Sequence, residues 1–166
     1  YCVEMKKVVS SSNMSNIGGW QSPPLQGEHK PLDTLSISIL NGARDYQGTF
    51  QYKNPLRINN MWVNINGYKD YNLEHHHSNA VISGVYYVKV PKNSGDLVFS
   101  HPATLGLQYD WGENNLKEFN RYNAATWIIP PIENRMFLFP GWLRHSVRPN
   151  LNKDQERISI SFNLTR

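Results

Sequence analysis

The sequence predicts a mostly β protein, built as a sandwich or barrel, with one clear helix near its beginning. Three observations predict this class. From Ile58 onward, short apolar runs alternate with clusters of Gly, Pro, Asn and Asp, as in proteins made of many short strands. Several runs alternate apolar and polar side chains with a period of two, most strictly from Arg157 to Leu164. One segment alone, after Pro31, spaces its apolar residues as an amphipathic helix does.

Length and composition set the limits of the fold and its partners. The 166 residues suit one domain, spanning 1–166, and the first residue, Tyr1, leaves open that a native N-terminal piece precedes it. Lys and Arg total 17 against 13 Asp and Glu, and they are scattered, so we predict no nucleic-acid partner. No apolar run reaches the ~20 residues of a membrane span. A single cysteine, Cys2, excludes an internal disulfide and favours a reducing, cytoplasmic location.

The first fifty residues contain the predicted helix. Val3 to Val9 is predicted as a short strand, and Ser10 to Pro24 as a loop anchored by the large apolar side chain of Trp20. Asp33 is a suitable N-cap for the helix, which Asn41-Gly42 would end or weaken. The helical spacing is carried by Leu32, Leu35, Ile39, Leu40 and Ala43.

The whole chain is predicted to form about eight short strands, and Val3 to Val9 is the first of them. Lys92 to Asp96 is predicted to join two strands as a hairpin, and Pro130 to Asn134 to turn the chain back in the same way. Ala103 to Asn123 has little pattern and is predicted to form a functional flap. The later strands are predicted at Ile58–Asn66, Ser83–Val90, Leu97–Phe99, Trp127–Ile129, Arg135–Phe139, around His145, and Arg157–Leu164.

A run of three histidines precedes the strand that begins near Ala80. On an extended backbone His75 and His77 face one way and His76 the other, so the first two could bind one metal ion together. A third ligand must come from elsewhere, and His145 is the histidine in a comparable strand setting. Glu74 with His76 is the alternative register, and a solvated loop is the alternative that involves no metal.

The polar face of the last strand is the second candidate for chemistry. Arg157 and Ser159 present a guanidinium fork beside a hydroxyl, which suits a carboxylate. The strand from Met61 to Asn66 carries a similar mixed face, with Trp62, Asn64 and Asn66. Two such faces beside a histidine cluster are what the interior of a ligand-holding barrel needs, whereas an ordinary amphipathic strand would turn its polar face to water.

Several motifs, in order, resemble one known family. They are His-x-His before Ser-Gly-Val-Tyr-Tyr-Val, then Ser-Gly-Asp-Leu-Val-Phe, then Phe-Leu-Phe-Pro-Gly-Trp-Leu-x-His-x-Val-x-Pro-Asn, then Glu-Arg-Ile-Ser-Ile-Ser-Phe-Asn. Together with the segment from Ser15 to Ser22, they resemble the 2-oxoglutarate- and iron(II)-dependent oxygenases related to prolyl hydroxylases, of the type often found in marine bacteria and phages. The resemblance extends over roughly residues 15–163.

The resemblance implies a double-stranded β-helix, a jelly-roll or cupin-like barrel with one or two N-terminal helices packed on the sheet. It implies a dioxygenase that uses Fe(II) and the co-substrate 2-oxoglutarate to hydroxylate an unidentified substrate. The family's two histidines map to His75 and His145, and its co-substrate arginine maps to Arg157. Most members have a carboxylate where this chain has His77, so the implied metal site contains three imidazoles.

Two rival functions stay open at this point. One is a three-histidine zinc or cupin-type metalloenzyme that does not use 2-oxoglutarate, and the other is a non-catalytic jelly-roll binding module. For the oxygenase we expect a small-molecule or peptide substrate, no nucleic-acid or membrane partner, and leave a homodimer open. The predicted metal ligands are His75, His77 and His145, and the predicted co-substrate contacts are Arg157, Ser159, Asn64, Asn66 and Tyr87.

Overall fold

The computed structural model describes residues 1–25, 29–104, 115–120 and 122–166, and it contains two helices and ten strands in these ranges. Much of the predicted flap, residues 105–114 and 121, lies outside them. No helix in the described ranges is long and apolar enough to cross a membrane. The elements are α1 (Cys2–Val8), β1 (Asn16–Ile17), β2 (Trp20–Gln21), a 3-10 turn (Lys30–Leu32), α2 (Asp33–Phe50), β3 (Arg57–Asn66), β4 (Tyr71–His75), β5 (Ile82–Lys89), β6 (Leu97–Ser100), β7 (Thr126–Ile129), β8 (Met136–Pro140), β9 (His145–Val147) and β10 (Arg157–Thr165).

The strands form two five-stranded antiparallel sheets. The first sheet has the order β1-β4-β9-β6-β7 and the second has the order β2-β3-β10-β5-β8. From β3 onward the chain crosses from one sheet to the other at nearly every connection, and only β6 and β7 follow each other within one sheet. This is the topology of a jelly roll, so the predicted mostly β, double-stranded β-helix fold is confirmed.

The helices cover the outer face of the second sheet. The apolar face of β10 packs against them, since Ile158 and Ile160 form one buried cluster with Cys2 and Leu32, and Phe162 and Leu164 form another with α2. Trp20 belongs to the first cluster and donates its indole N–H to the Val9 carbonyl at 2.9 Å, which confirms it as the anchor of the N-terminal loop. The apolar half of β10 therefore faces away from the space between the sheets.

A separate apolar cluster fills part of the space between the two sheets. Tyr87 and Phe139 come from the second sheet, and Leu97 and Phe99 come from the first. The polar face of β10 is turned towards this interior, because successive side chains on a strand point to opposite faces. The space between the sheets is therefore lined by this apolar cluster on one side and by the polar face of β10 on another.

Two local predictions at the N-terminus are wrong. Val3 to Val9 is not a strand but lies mainly in α1, because Cys2 and Met5 pack on the sheet at helical spacing while Val8 is 82% exposed. Asp33 does not cap α2 with its side chain; it lies in the first turn, after the 3-10 turn.

The predicted end of α2 at Asn41-Gly42 is also wrong, since the helix continues to Phe50. A glycine is tolerated there because the helix approaches β8 closely. A Cβ on Gly42 would lie 2.8 Å from Leu138 Cδ1 and 3.2 Å from Met136 Cε. The glycine therefore serves close helix–sheet packing, at a cost in helix propensity that this packing offsets.

The two predicted returns of the chain are not hairpins. Lys92 to Asp96 joins β5 of the second sheet to β6 of the first, and Pro130 to Asn134 joins β7 of the first to β8 of the second. Local turn signals do not distinguish a hairpin from a crossover between sheets, which is why these pairings were mispredicted.

Candidate active site

Three histidines converge between the sheets. Antiparallel pairing of β4 with β9 places His75 directly opposite His145. His77 lies just beyond the end of β4, where its backbone N–H donates to the Gly141 carbonyl at 2.8 Å. The ring centroids of His75 and His145 are 4.3 Å apart, and those of His77 lie 5.1 and 5.2 Å from them. One nitrogen from each of the three rings lies within 4.8 Å of the others, which is a spacing that one metal ion can bridge.

Backbone carbonyls fix the tautomers of two of these rings. The Nδ1 atom of His75 lies 2.7 Å from the Leu73 carbonyl, and that of His145 lies 2.8 Å from the Leu143 carbonyl. A carbonyl can only accept, so Nδ1 of each ring carries the proton. The Nε2 lone pair of each ring is consequently available to a metal, in the arrangement usual for ligating histidines.

Burial keeps the three rings neutral. Desolvation is the largest cause lowering the pKa of each, to about 4 for His77 and about 3 for His145, and the pKa of His75 is lowered as well. Neighbouring histidines lower these pKa values further. Imidazole binds metal only when neutral, so at neutral pH the three rings have the charge state that metal binding requires.

These pKa values predict that the metal-depleted protein loses stability in acid. Because the folded pKa of His145 lies below the ordinary value of 6.5, the unfolded chain takes up the proton first as the pH falls. The free energy of unfolding should be unaffected above about pH 6.5 and should then fall towards pH 4, with His145 contributing up to about 1.4 kcal/mol per pH unit. Denaturant unfolding with a chelator present, at pH 7 and pH 5, measures this loss. Between pH 7 and pH 5, His145→Gln should lose less unfolding free energy than the wild type, and the exposed His76→Ala should lose as much as the wild type. Equal losses in all three proteins would contradict the prediction.

Glu74 and His76 do not join the histidine cluster. The Glu74 carboxylate accepts hydrogen bonds from the Ser100 hydroxyl and from Arg144 Nε, the latter at 2.8 Å. The Ser100 hydrogen bond and then the Arg144 hydrogen bond lower the pKa of Glu74. Within the described ranges, the only group of three or more His, Cys, Asp or Glu side chains placed to hold one metal is His75, His77 and His145.

Arg157 lies at the start of β10, on the polar face that this strand turns towards the space between the sheets. It is 1% exposed, and its Nη1 donates to the Ser94 carbonyl at 2.6 Å and the Gly95 carbonyl at 3.3 Å. Gly95 has a φ of 84°, in the region that favours glycine, and a Cβ there would lie 2.7 Å from the Pro149 carbonyl oxygen. Two carbonyls thus orient the arginine without neutralising its charge.

A buried arginine of this kind still needs an anion. No carboxylate among the described residues lies within 4.0 Å of the guanidinium, and Arg157 Nε is buried with no hydrogen-bond partner. The charge of Asp70 favours the guanidinium only from beyond that distance, and an unpaired buried N–H is costly. The group is therefore suited to a carboxylate that enters from outside the chain.

One cavity connects the histidines with the arginine, and it contains about 520 Å³ of space, counting its open mouth. Four predicted co-substrate residues, Arg157, Ser159, Asn64 and Tyr87, line it. Asn64 donates to the Ser161 hydroxyl at 3.0 Å. The fifth, Asn66, is buried but is not among the lining residues.

Sequence reasoning missed several residues that support the site. The carbonyls of Leu73, Leu143, Ser94 and Gly95 leave no trace in the sequence, because any residue can supply a backbone acceptor. Asn163, which contacts His77 and accepts a hydrogen bond from Ser83, is different. Asn163 belongs to the polar face of β10, and period-two alternation is the signal that points to it.

Comparison with known proteins identifies the family. Residues 60–163, more than half of the chain, match the family model described as "Putative 2OG-Fe(II) oxygenase". The chain belongs to this oxygenase family. The oxygenase is therefore an enzyme that uses Fe(II) and 2-oxoglutarate, as predicted, and the predicted family membership is confirmed.

Solved structures support the fold of the oxygenase. A prolyl-4-hydroxylase from Pseudomonas putida is 14% identical, with a TM-score of 0.66, and the match covers 99% of this chain and 82% of that one. A viral collagen prolyl hydroxylase from Paramecium Bursaria Chlorella virus-1, solved as a 2-oxoglutarate complex, is 13% identical, with a TM-score of 0.58 and coverage of 98% and 83%. HygX from Streptomyces hygroscopicus, with nickel and 2-oxoglutarate bound, is 10% identical, with a TM-score of 0.66 and coverage of 98% and 75%. No curated protein matches the sequence.

The chemistry of the site fits both groups that the family uses. Three neutral imidazoles in mutual reach are a donor set for Fe(II), and they leave further coordination positions for other ligands. The unpaired buried guanidinium of Arg157 is a partner for one carboxylate of a dicarboxylic acid.

Proposed function

We propose that the oxygenase binds iron through His75, His77 and His145 and binds the distal carboxylate of 2-oxoglutarate through Arg157. The observation that carries the proposal is the buried guanidinium, which has no carboxylate of the described residues within 4.0 Å and lies in the same cavity as the three histidines. Such a pairing of a metal site with a carboxylate site suits a ligand that has a chelating keto acid at one end and a carboxylate at the other.

The residues of the chain have distinct roles in this proposal. Arg157 orients the co-substrate with its fork, and the Ser159 hydroxyl lies one step along the same strand face to share that carboxylate. Phe139 packs edge-on against His145 at 4.8 Å between centroids and limits water around the ligands. When bound, Fe(II) and 2-oxoglutarate supply the oxidising chemistry with O₂, and the protein supplies position and a dry surrounding.

Tyr87 is proposed to donate a hydrogen bond to the same carboxylate. It is 2% exposed and lines the cavity, and burial is the main cause that raises its pKa to about 12, so it stays a neutral donor. Tyr87→Phe should weaken 2-oxoglutarate binding about 5-fold, the effect of one hydrogen bond of about 1 kcal/mol, and should leave metal content unchanged. Anaerobic calorimetry with the iron-loaded wild type and Tyr87→Phe measures the two affinities. A Tyr87→Phe protein with wild-type affinity would remove Tyr87 from the co-substrate site.

The substrate is proposed to enter through a groove beside the metal site. This groove contains about 1550 Å³ of space and shares Ser15, Trp62, His75 and His77 with the cavity. Its other described lining residues are mostly amides and hydroxyls, and its one carboxylate, Glu74, is paired with Arg144. We therefore propose that the segment of small molecule or peptide lying there is uncharged and rich in hydrogen-bonding groups.

The rival functions assign no role to the arginine. A zinc or cupin-type enzyme without 2-oxoglutarate would need the three histidines alone, and a binding module would need neither group. A guanidinium that is 1% exposed and unpaired at Nε would then be a cost without a compensating ligand. We also propose a cytoplasmic location and no nucleic-acid partner, because the chain has a single cysteine and scattered basic residues.

Turnover of the co-substrate tests the proposed function. Protein loaded with Fe(II) in air should convert 2-oxoglutarate to succinate and CO₂, slowly without a prime substrate and faster when one is added. Succinate is measured by chromatography, and zinc-loaded protein is the matched control because zinc has no redox chemistry. Equal succinate from the iron and zinc forms would contradict the proposal.

A further inference from the structure

The third histidine is held differently from the other two. Nδ1 of His75 and of His145 faces a backbone carbonyl, which can only accept. Nδ1 of His77 instead lies 3.4 Å from the side-chain amide nitrogen of Asn163, which can only donate. His77 therefore has a different supporting contact from those of His75 and His145.

This contact decides which nitrogen of His77 carries the proton. If Nδ1 accepts the amide proton of Asn163, a neutral ring carries its own proton on Nε2. Such a ring has no lone pair on Nε2 for a metal, and its Nδ1 lone pair is already used. In this arrangement His77 cannot act as the third ligand, however close it lies to the other two.

The amide of Asn163 can resolve this conflict by turning over. The oxygen and the NH₂ group of the amide are nearly equal in size, so the amide can rotate by about 180° without new contacts. In the structure its oxygen accepts a hydrogen bond from the Ser83 hydroxyl at 2.7 Å. Antiparallel pairing of β10 with β5 places Asn163 directly opposite Ser83, and both residues are more than nine-tenths buried. A hydroxyl can donate or accept, so Ser83 can accept from the amide nitrogen after the turn without any movement of the backbone.

We propose that Asn163, supported by Ser83, is a positioning residue that selects the metal-binding tautomer of His77. With the amide oxygen facing Nδ1, Asn163 accepts the Nδ1 proton, and Nε2 of His77 becomes equivalent to that of His75 and His145. The pair replaces the backbone carbonyl that the other two ligands have. This inference rests on the proposed function of the three histidines.

Zinc binding and the tautomer of His77 test the role of Asn163 together. Asn163→Leu removes the acceptor and should weaken Zn²⁺ binding about 10-fold or more in competition with a chelator. Asn163→Asp supplies oxygen acceptors alone and should retain or increase the affinity. The control is Asn41→Leu, which removes an exposed amide on α2 and should leave zinc affinity unchanged.

Nitrogen chemical shifts of ¹⁵N-labelled histidine give a readout that a merely structural role would not change. The zinc-loaded wild type should show Nδ1–H on His77, and the zinc-free Asn163→Asp protein should show the same tautomer. Thermal unfolding confirms that each variant is folded, and the wild-type and Asn163→Asp spectra decide the matter even if Asn163→Leu does not fold.

The proposal is overturned if zinc-loaded wild type shows Nε2–H on His77, or if folded Asn163→Leu binds zinc within about 2-fold of the wild type. A different result would contradict the proposed function, namely zinc retained by His75→Ala. If His75→Ala loses zinc while Asn163→Leu keeps it, the role of Asn163 is wrong and the metal site stands.

Discussion

Replacing any one of His75, His77 and His145 with alanine is expected to remove most of the iron from the protein. Each substitution deletes one of the three proposed protein ligands, so affinity should fall more than about 100-fold, beyond the effect of losing an outer-shell partner. Iron content after loading and passage through a chelating resin measures the loss. Thermal unfolding should be measured for each variant, because His145 is buried and packs against Phe139, so its truncation leaves a cavity.

His76→Ala is the matched control for these three variants. Its side chain is exposed and lies outside the cluster formed by its neighbours, so this variant should keep the iron of the wild type. Iron retained by His77→Ala and lost by His76→Ala would show that the ligand set is displaced by one residue. The proposed coordination would then be wrong.

Arg157→Ala is expected to weaken 2-oxoglutarate binding by roughly 30-fold or more, while iron content is unchanged. A bidentate, charge-assisted pair in a desolvated site contributes on the order of 2–3 kcal/mol, and its loss leaves a carboxylate unpaired. Arg157→Lys should recover only part of the affinity, because an ammonium cannot reproduce the fork. Anaerobic calorimetry on the iron-loaded proteins gives the three affinities.

The control for Arg157 is a nearby arginine outside the cavity. Arg148 is half-exposed and pairs with Asp96 at 3.3 Å, so Arg148→Ala should bind 2-oxoglutarate as the wild type does. An equal loss in Arg148→Ala and Arg157→Ala would indicate a general effect of net charge. In that case Arg157 would not be the specific partner of the carboxylate.

The parts of the site that could be predicted are those that follow from alternation. Period two on the last strand placed Arg157, Ser159 and Asn163 on one face, and the structure turns that face to the interior. Alternation also predicted His75 and His77 on one side, and the structure brings both rings into one cluster although His77 lies beyond β4. Side-chain pattern within one segment is local information, and the sequence contains it.

Pairing between segments could not be predicted in the same way. The turn at Lys92 to Asp96 looks like a hairpin locally, yet β6 leaves β5 for the other sheet and pairs with β9. That choice depends on which strands are buried together, and the histidines converge only because β9 lies beside β4. Backbone acceptors, such as the Leu73 and Leu143 carbonyls, are likewise invisible in a sequence.

Anaerobic titration of the iron(II)-loaded wild type with 2-oxoglutarate is the most direct test of the central claim, that one cavity holds both the metal and the co-substrate. Chelation of iron by the keto acid produces a visible charge-transfer band, and the band should grow to saturation at one equivalent of 2-oxoglutarate per iron. Succinate, which lacks the keto group, should give no band. The absence of both the band and any heat of binding with 2-oxoglutarate, in protein shown to contain iron, would contradict the claim.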